Sequence, residues 1–227
     1  MDSLPRWTHS TMTLNAANYG GGRSKYMNPS KGEVRPIFPA AAVVRYKNPA
    51  HENISLDGLE FSVNSSSHTE TTPNSQNILE EARFAPLAVF LKDCIKDYLD
   101  NVYCYQYEDF AIIHAWVNRA AEGGYQRMHY HGNSIVSGVY YLQADPKQSA
   151  PLMFDKPEIN TQPYLAIAAR EQTLFTANRV AYPSETGIAY LFPSQILHGY
   201  EMPTRGGERI SLAFNVMLAG IGQFYKL

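Results

Sequence analysis

Three of the seven histidines in this chain are spaced for metal chemistry. His129 and His131 stand two apart in Gln126-Arg-Met-His-Tyr-His-Gly132, and His198 ends the segment Leu191-Phe-Pro-Ser-Gln-Ile-Leu-His198. In extended backbone, residues two apart point to the same face, so His129 and His131 can converge on one ion while His198 reaches it from a later strand. Imidazole nitrogen suits iron, copper, nickel or zinc. A His-x-His pair alone is common on protein surfaces and is weak grounds for a metal.

A second feature strengthens it. Eleven residues after His198, the segment Glu208-Arg-Ile-Ser-Leu-Ala-Phe-Asn-Val216 alternates with period two. Ile210, Leu212, Phe214 and Val216 form a core face, and Arg209, Ser211, Ala213 and Asn215 share the other. In a small barrel that other face is the lumen; on an open sheet it is solvated surface. A guanidinium facing inward needs an anion, because an unpaired buried charge is costly. The strand face carries no acid of its own, and a planar fork beside a hydroxyl matches a ligand carboxylate.

The ordered set resembles the iron(II)- and 2-oxoglutarate-dependent oxygenase superfamily. It comprises His129-x-His131, Ser137-Gly-Val-Tyr-Tyr-Leu142, Phe192-Pro193 followed by His198, and Arg209-x-Ser211. The resemblance covers roughly residues 75 to 217 and points to the prolyl-hydroxylase-like branch, which includes uncharacterised phage and bacterial members. It implies a mainly β fold with supporting helices, a distorted double-stranded β-helix (jelly roll, cupin-like). It also implies His129 and His198 as iron(II) ligands, and Arg209, Ser211 and Tyr141 on the distal carboxylate of 2-oxoglutarate. Asn118, on the strand before the metal motif, would line the site. The implied reaction hydroxylates an unactivated C–H bond and releases succinate and carbon dioxide, with ascorbate as an accessory reductant. A prolyl side chain is the branch-level substrate; other peptides, free amino acids and small metabolites stay open. So does the oligomeric state.

The chain departs from the family pattern at His131, where the superfamily places Asp or Glu. A neutral imidazole there leaves the metal one unit more positive. Either His131 or a carboxylate such as Asp155 is then the third ligand. His114 reads as a packing residue, and Tyr130 and Tyr140 point away from the proposed site by strand parity. A cupin reading fits Gly123, His129, His131, Gly187, Pro193 and His198, yet Ile135 and Val136 stand where its glutamate is expected, and Arg209 goes unexplained. Three histidines plus water also suit catalytic zinc. A non-catalytic β module that binds through its tyrosines is the remaining class.

These residues must be positioned by a scaffold. Leu87, Phe90, Leu91, Cys94, Ile95, Tyr98 and Leu99 form one apolar stripe, which predicts a helix over Pro86 to Asp100 with Cys94 on its buried side. A helical segment over Ile78 to Phe84 leads into it. Strands are expected at residues 37–46, 59–63, 110–118, 134–142, 152–155, 173–176, 188–192 and 208–217. The Ser/Thr/Asn-rich stretch between Asn64 and Asn77 reads as a loop. Residues 1–35 read as an arm or irregular segment, and residues 36–227 as a single domain with helical support around 77–100.

Composition narrows the classes further. Nineteen basic residues against 21 acidic ones argue against a nucleic-acid or anionic-membrane binder. No apolar run approaches the ~20 residues of a membrane span. The first residues lack a secretory pattern, and two cysteines form no disulfide framework, so a reducing cytoplasm is expected. Sixteen tyrosines fit a strand-rich composition.

Overall fold

The computed structural model describes residues 41–64, 67–73, 77–156, 170, 173, 176–202 and 204–220. The expected arm over residues 1–35, and residues 37–40 of the first expected strand, lie outside the described residues. The apolar stripe becomes helix α1 (Ala85–Asp97), with Pro86 in its first turn, where a missing N–H costs nothing. The helix ends three residues before the expected Asp100, passing into a wider turn over Tyr98–Val102 in which the Tyr103 N–H donates to Tyr98 O at 3.2 Å. The segment before it is two 3₁₀ turns, Ile78–Glu80 and Ala82–Phe84, because Glu81 between them is extended.

Among the described residues, eleven strands make two antiparallel sheets. They are β1 (Val44–Lys47), β2 (Ser62–Asn64), β3 (Thr69–Thr71), β4 (Asp109–Ala120), β5 (Gln126–His129), β6 (Val136–Gln143), β7 (Leu152–Asp155), β8 (Arg179–Tyr182), β9 (Ile188–Pro193), β10 (His198–Tyr200) and β11 (Arg209–Ala219). The larger sheet has the order β1-β9-β6-β11-β4-β3-β2, and the smaller β5-β10-β7-β8.

Alternation on β6 and β11 sorts side chains into two cores. Tyr140, Leu212, Phe214 and Val216 pack against Leu87, Leu91 and Ile95 of α1 on one face. Gly138 is obligatory there, since a Cβ would lie 2.2 Å from the Phe214 ring. On the other face Val139, Tyr141, Tyr190 and Phe192 meet Leu152 and Phe154 of the smaller sheet. Each fully buried Leu or Phe stabilises by roughly 1.5–3 kcal/mol, so both faces of the larger sheet are committed. Two opposed sheets with a helix on the outer face of one are the double-stranded β-helix that the resemblance implied.

Two expectations fail. β3 lies inside the stretch read as a loop; its Thr-rich face pairs with β4 (Thr69 opposite Ala120), and its polar composition hid it. Of residues 173–176, the described Thr173 and Thr176 lie in no strand, and the Ala177 N–H donates to Thr173 O at 2.9 Å. The strand comes later, as β8, where Arg179 can pair with Asp155 of β7. No helix among the described residues is long and apolar enough to cross a membrane.

Candidate metal centre and the buried arginine

β5 and β10 place two histidines directly opposite each other, His129 against His198. His131 follows two residues after His129, its backbone N–H held by Ser194 O at 2.9 Å. Ring centroids lie 4.5 Å apart for His129 and His198, 5.1 Å for His129 and His131, and 5.3 Å for His131 and His198. One ring nitrogen from each falls within 4.8 Å of the other two. Gly199 lets the strands approach, since a Cβ would stand 2.8 Å from the carbonyl oxygens of Gln126 and Arg127.

The backbone sets the tautomers of two rings. His129 Nδ1 lies 2.8 Å from Arg127 O and His198 Nδ1 2.7 Å from Ile196 O. A carbonyl only accepts, so each Nδ1 carries the proton and each Nε2 keeps its lone pair for a cation. Phe192 and Phe154 pack on the His198 ring at 4.6 and 6.4 Å. Burial, then the charge of neighbouring His129, pushes His198 down to about 3. The same causes, with His114 adding, push His131 down to about 4. Both are therefore neutral near pH 7, the form that ligates. Trp116 meets the His131 ring edge-on at 6.0 Å. Three converging imidazoles fit a divalent transition metal.

Asp155 does not join them. Next to Phe154 on β7, it faces the other side of the strand, where both its oxygens engage Arg179, Oδ2 at 2.8 Å from Nη2. Arg179 also reaches Glu201 at 2.9 Å. Of the two candidate third ligands, the geometry brings His131 to the other histidines.

Arg209 is 2% exposed. Its Nη2 donates to the Tyr141 hydroxyl at 3.1 Å and Nη1 to Ser211 Oγ at 3.3 Å, while Nε faces Ala150 O and Ser184 Oγ at 3.3 and 3.4 Å. The Tyr200 ring lies 3.9 Å from its guanidinium carbon and the Tyr141 ring 4.9 Å. Every partner is neutral and most contacts are long, so the described residues bring no anion to the buried cation. Tyr141 and Asn118 flank Ser211 in register on β6 and β4, and Asn118 is half-buried with no bond to Arg209. Tyr140 sits in the helix-side core and Tyr130 is 63% exposed, as parity required.

Sequence reasoning missed Tyr200, Ser184 and Trp116. Tyr200 was findable, being two residues beyond His198 on the same strand face. Trp116 was also findable, because β4 alternates His114, Trp116 and Asn118 against Ala115 and Val117. Ser184 lies on a connection with no periodicity to mark it.

The double-stranded β-helix thus gathers three histidines from β5, the residues just after it and β10, and buries the guanidinium of β11. By sequence, residues 114–215 are similar to the family described as putative 2OG-Fe(II) oxygenase. No curated protein matches the sequence. Among solved structures, HygX from Streptomyces hygroscopicus, bound to nickel, 2-oxoglutarate and hygromycin B, superposes with a TM-score of 0.52 at 14% identity, over 80% of this chain and 84% of that one. A second HygX structure, with nickel and 2-oxoglutarate, gives 0.51 at 13% identity over 73% and 76%. A Pseudomonas putida prolyl-4-hydroxylase gives 0.47 at 17% identity over 70% and 78%. At these identities the HygX likeness is one of fold.

Proposed function

We propose that this protein is an iron(II)- and 2-oxoglutarate-dependent dioxygenase in which His129, His131 and His198 hold the iron. Arg209, Ser211 and Tyr141 take the distal carboxylate of 2-oxoglutarate, and Asn118 lines the pocket. The observation that carries this reading is the buried guanidinium of Arg209, which has no anion among the described residues and is reached from the histidines along one strand. Tyr200, which stacks on it, is two residues from His198, about 6.5 Å along an extended chain. A short dicarboxylate spans that interval, one end at the histidines and the other at the guanidinium fork.

Iron bound there supplies oxygen activation, coupled to decarboxylation of 2-oxoglutarate to succinate and carbon dioxide and to hydroxylation of a substrate C–H bond. The protein's own part is positional. The carbonyls of Arg127 and Ile196 fix which imidazole nitrogens face the metal. Tyr141 and Ser211 orient the guanidinium for a bidentate carboxylate. Phe154 and Phe192 exclude water from the His198 side. The substrate, on the resemblance, is a prolyl or other amino-acid side chain. A zinc hydrolase would leave Arg209 without a role.

Anaerobic addition of iron(II) and 2-oxoglutarate tests the reading. A visible charge-transfer band from chelated keto acid is expected; its absence in metal-loaded protein overturns the proposal.

A further inference from the structure

The inner face of β11 continues past Arg209 and Ser211 to Asn215, which is 4% exposed and lies between His114 of β4 and Ser137 of β6 in register. Three hydroxyls lead to it. Ser134 Oγ lies 2.8 Å from Ser194 Oγ, Ser194 Oγ 2.9 Å from Ser137 Oγ, and Ser137 Oγ 2.7 Å from Asn215 Oδ1. Three contacts share three protons. Oδ1 has none, so Ser137 must donate to Asn215, Ser194 to Ser137, and Ser134 to Ser194. With Oδ1 facing Ser137, the chain therefore runs one way and ends at the amide. With Oδ1 engaged, the planar amide turns Nδ2 away from Ser137, and Nδ2 has no partner among the described residues.

The surrounding wall is uncharged. The cross-strand rows His114–Asn215–Ser137 and Trp116–Ala213–Val139 carry no Asp, Glu, Lys or Arg. The same wall touches the histidine cluster twice, through Trp116 against the His131 ring and through Ser194, which holds the His131 backbone. Along these rows a substrate carboxylate would find no lysine or arginine, and an ammonium would find the amide oxygen already taken.

Resting on the oxygenase reading, we propose that Asn215 Nδ2 is a preset donor to an uncharged carbonyl oxygen of the primary substrate, making Asn215 a specificity-determining residue. Substrates whose reacting carbon adjoins an amide are favoured over those that present a free carboxylate at that position. In this arrangement the amide presents its nitrogen, not its oxygen, away from the serine chain.

The test uses zinc-loaded protein with 2-oxoglutarate and follows the Asn215 side-chain N–H signals by NMR while N,N-dimethylacetamide, a pure acceptor, is added. A saturable shift is expected, with none from acetate. No saturable shift, or an equal one from acetate, overturns the proposal. Asn215→Asp keeps an acceptor for Ser137 and removes the donor, so it should bind the amide roughly tenfold more weakly while keeping the anaerobic iron(II)–2-oxoglutarate band. Unchanged amide affinity in this variant also overturns the proposal. If Asn215→Asp does not fold, Ser137→Ala decides. Freeing Oδ1 should broaden the two Nδ2 proton signals and weaken the amide, and unchanged signals and affinity count against the proposal. Loss of the band in the unaltered protein would sink the oxygenase reading, whereas the Asn215 titration reads out independently of it.

Discussion

The Arg209 guanidinium stacks 3.9 Å from the Tyr200 ring, and Tyr200 stands two residues beyond His198 on β10. One strand thus carries a histidine of the cluster and the aromatic platform of the buried cation. Arg209→Ala should weaken 2-oxoglutarate by 100-fold or more, on the order of two charge-assisted hydrogen bonds, and leave metal affinity nearly intact. Tyr200→Leu removes only the stacking and should weaken it about three- to tenfold. Titration of the anaerobic band measures both. Equal loss of metal in Arg209→Ala would refute the separation of the two ends.

The third ligand is decided by metal content after dialysis. His131→Ala should retain at least tenfold less iron. Asp155→Ala breaks a partly exposed ion pair with Arg179 and should cost at most about 1 kcal/mol of stability with iron retained. The opposite pattern would reinstate the carboxylate.

The histidines also predict an acid response of the metal-free protein. His131 at about 4 and His198 at about 3 both lie below their ordinary 6.5. Between those values the unfolded chain binds protons that the folded chain refuses, so stability rises with pH there. The contribution is complete above pH 6.5 and is lost as pH falls through the folded values. Urea midpoints should drop between pH 7 and 5, and His198→Leu should flatten that slope. A midpoint constant over this interval in the unaltered protein would contradict the burial of these rings.

Gly199→Ala should separate β10 from β5, because its Cβ meets two backbone carbonyls rather than a yielding side chain. A cost of about 1–3 kcal/mol from overpacking is expected, together with weaker metal binding. Chemical denaturation and metal titration check the two effects, and full metal affinity would show that β5 can shift without moving His129.

Thiol chemistry should distinguish the two cysteines. Burial, with Asp93 and Asp97 nearby, pushes Cys94 up to about 12, and Cys104 is exposed. An aromatic disulfide reagent at pH 8 should modify one thiol in the native protein and two in denaturant. Two fast native reactions would mean that the helix-side core opens readily.

Much of this fold was legible where a single periodicity governs a segment. Leu87 to Leu99 marks α1, and the alternation from Arg209 to Val216 marks β11 and both of its faces. Ordered motifs and parity also led to Tyr141 beside Arg209. What escaped was long-range. Thr69 and Thr71 become a strand only because β4 lies alongside, and Asp155 is withdrawn from the histidines by Arg179, a pairing that depends on β7 meeting β8. The helix end slipped because the wide turn at Tyr98–Val102 keeps the same apolar stripe.

β5 is four residues long, lies at the edge of its sheet, and among the described residues pairs only with β10. His129 therefore rides on a short edge strand, and His131 lies two residues beyond its end. An ion drawing His129 and His131 toward His198 would act as a clasp across that seam. Amide protons of Gln126–His129 should then exchange with solvent slowly in the loaded protein and quickly in the stripped one, while those of β6 and β11 remain protected in both.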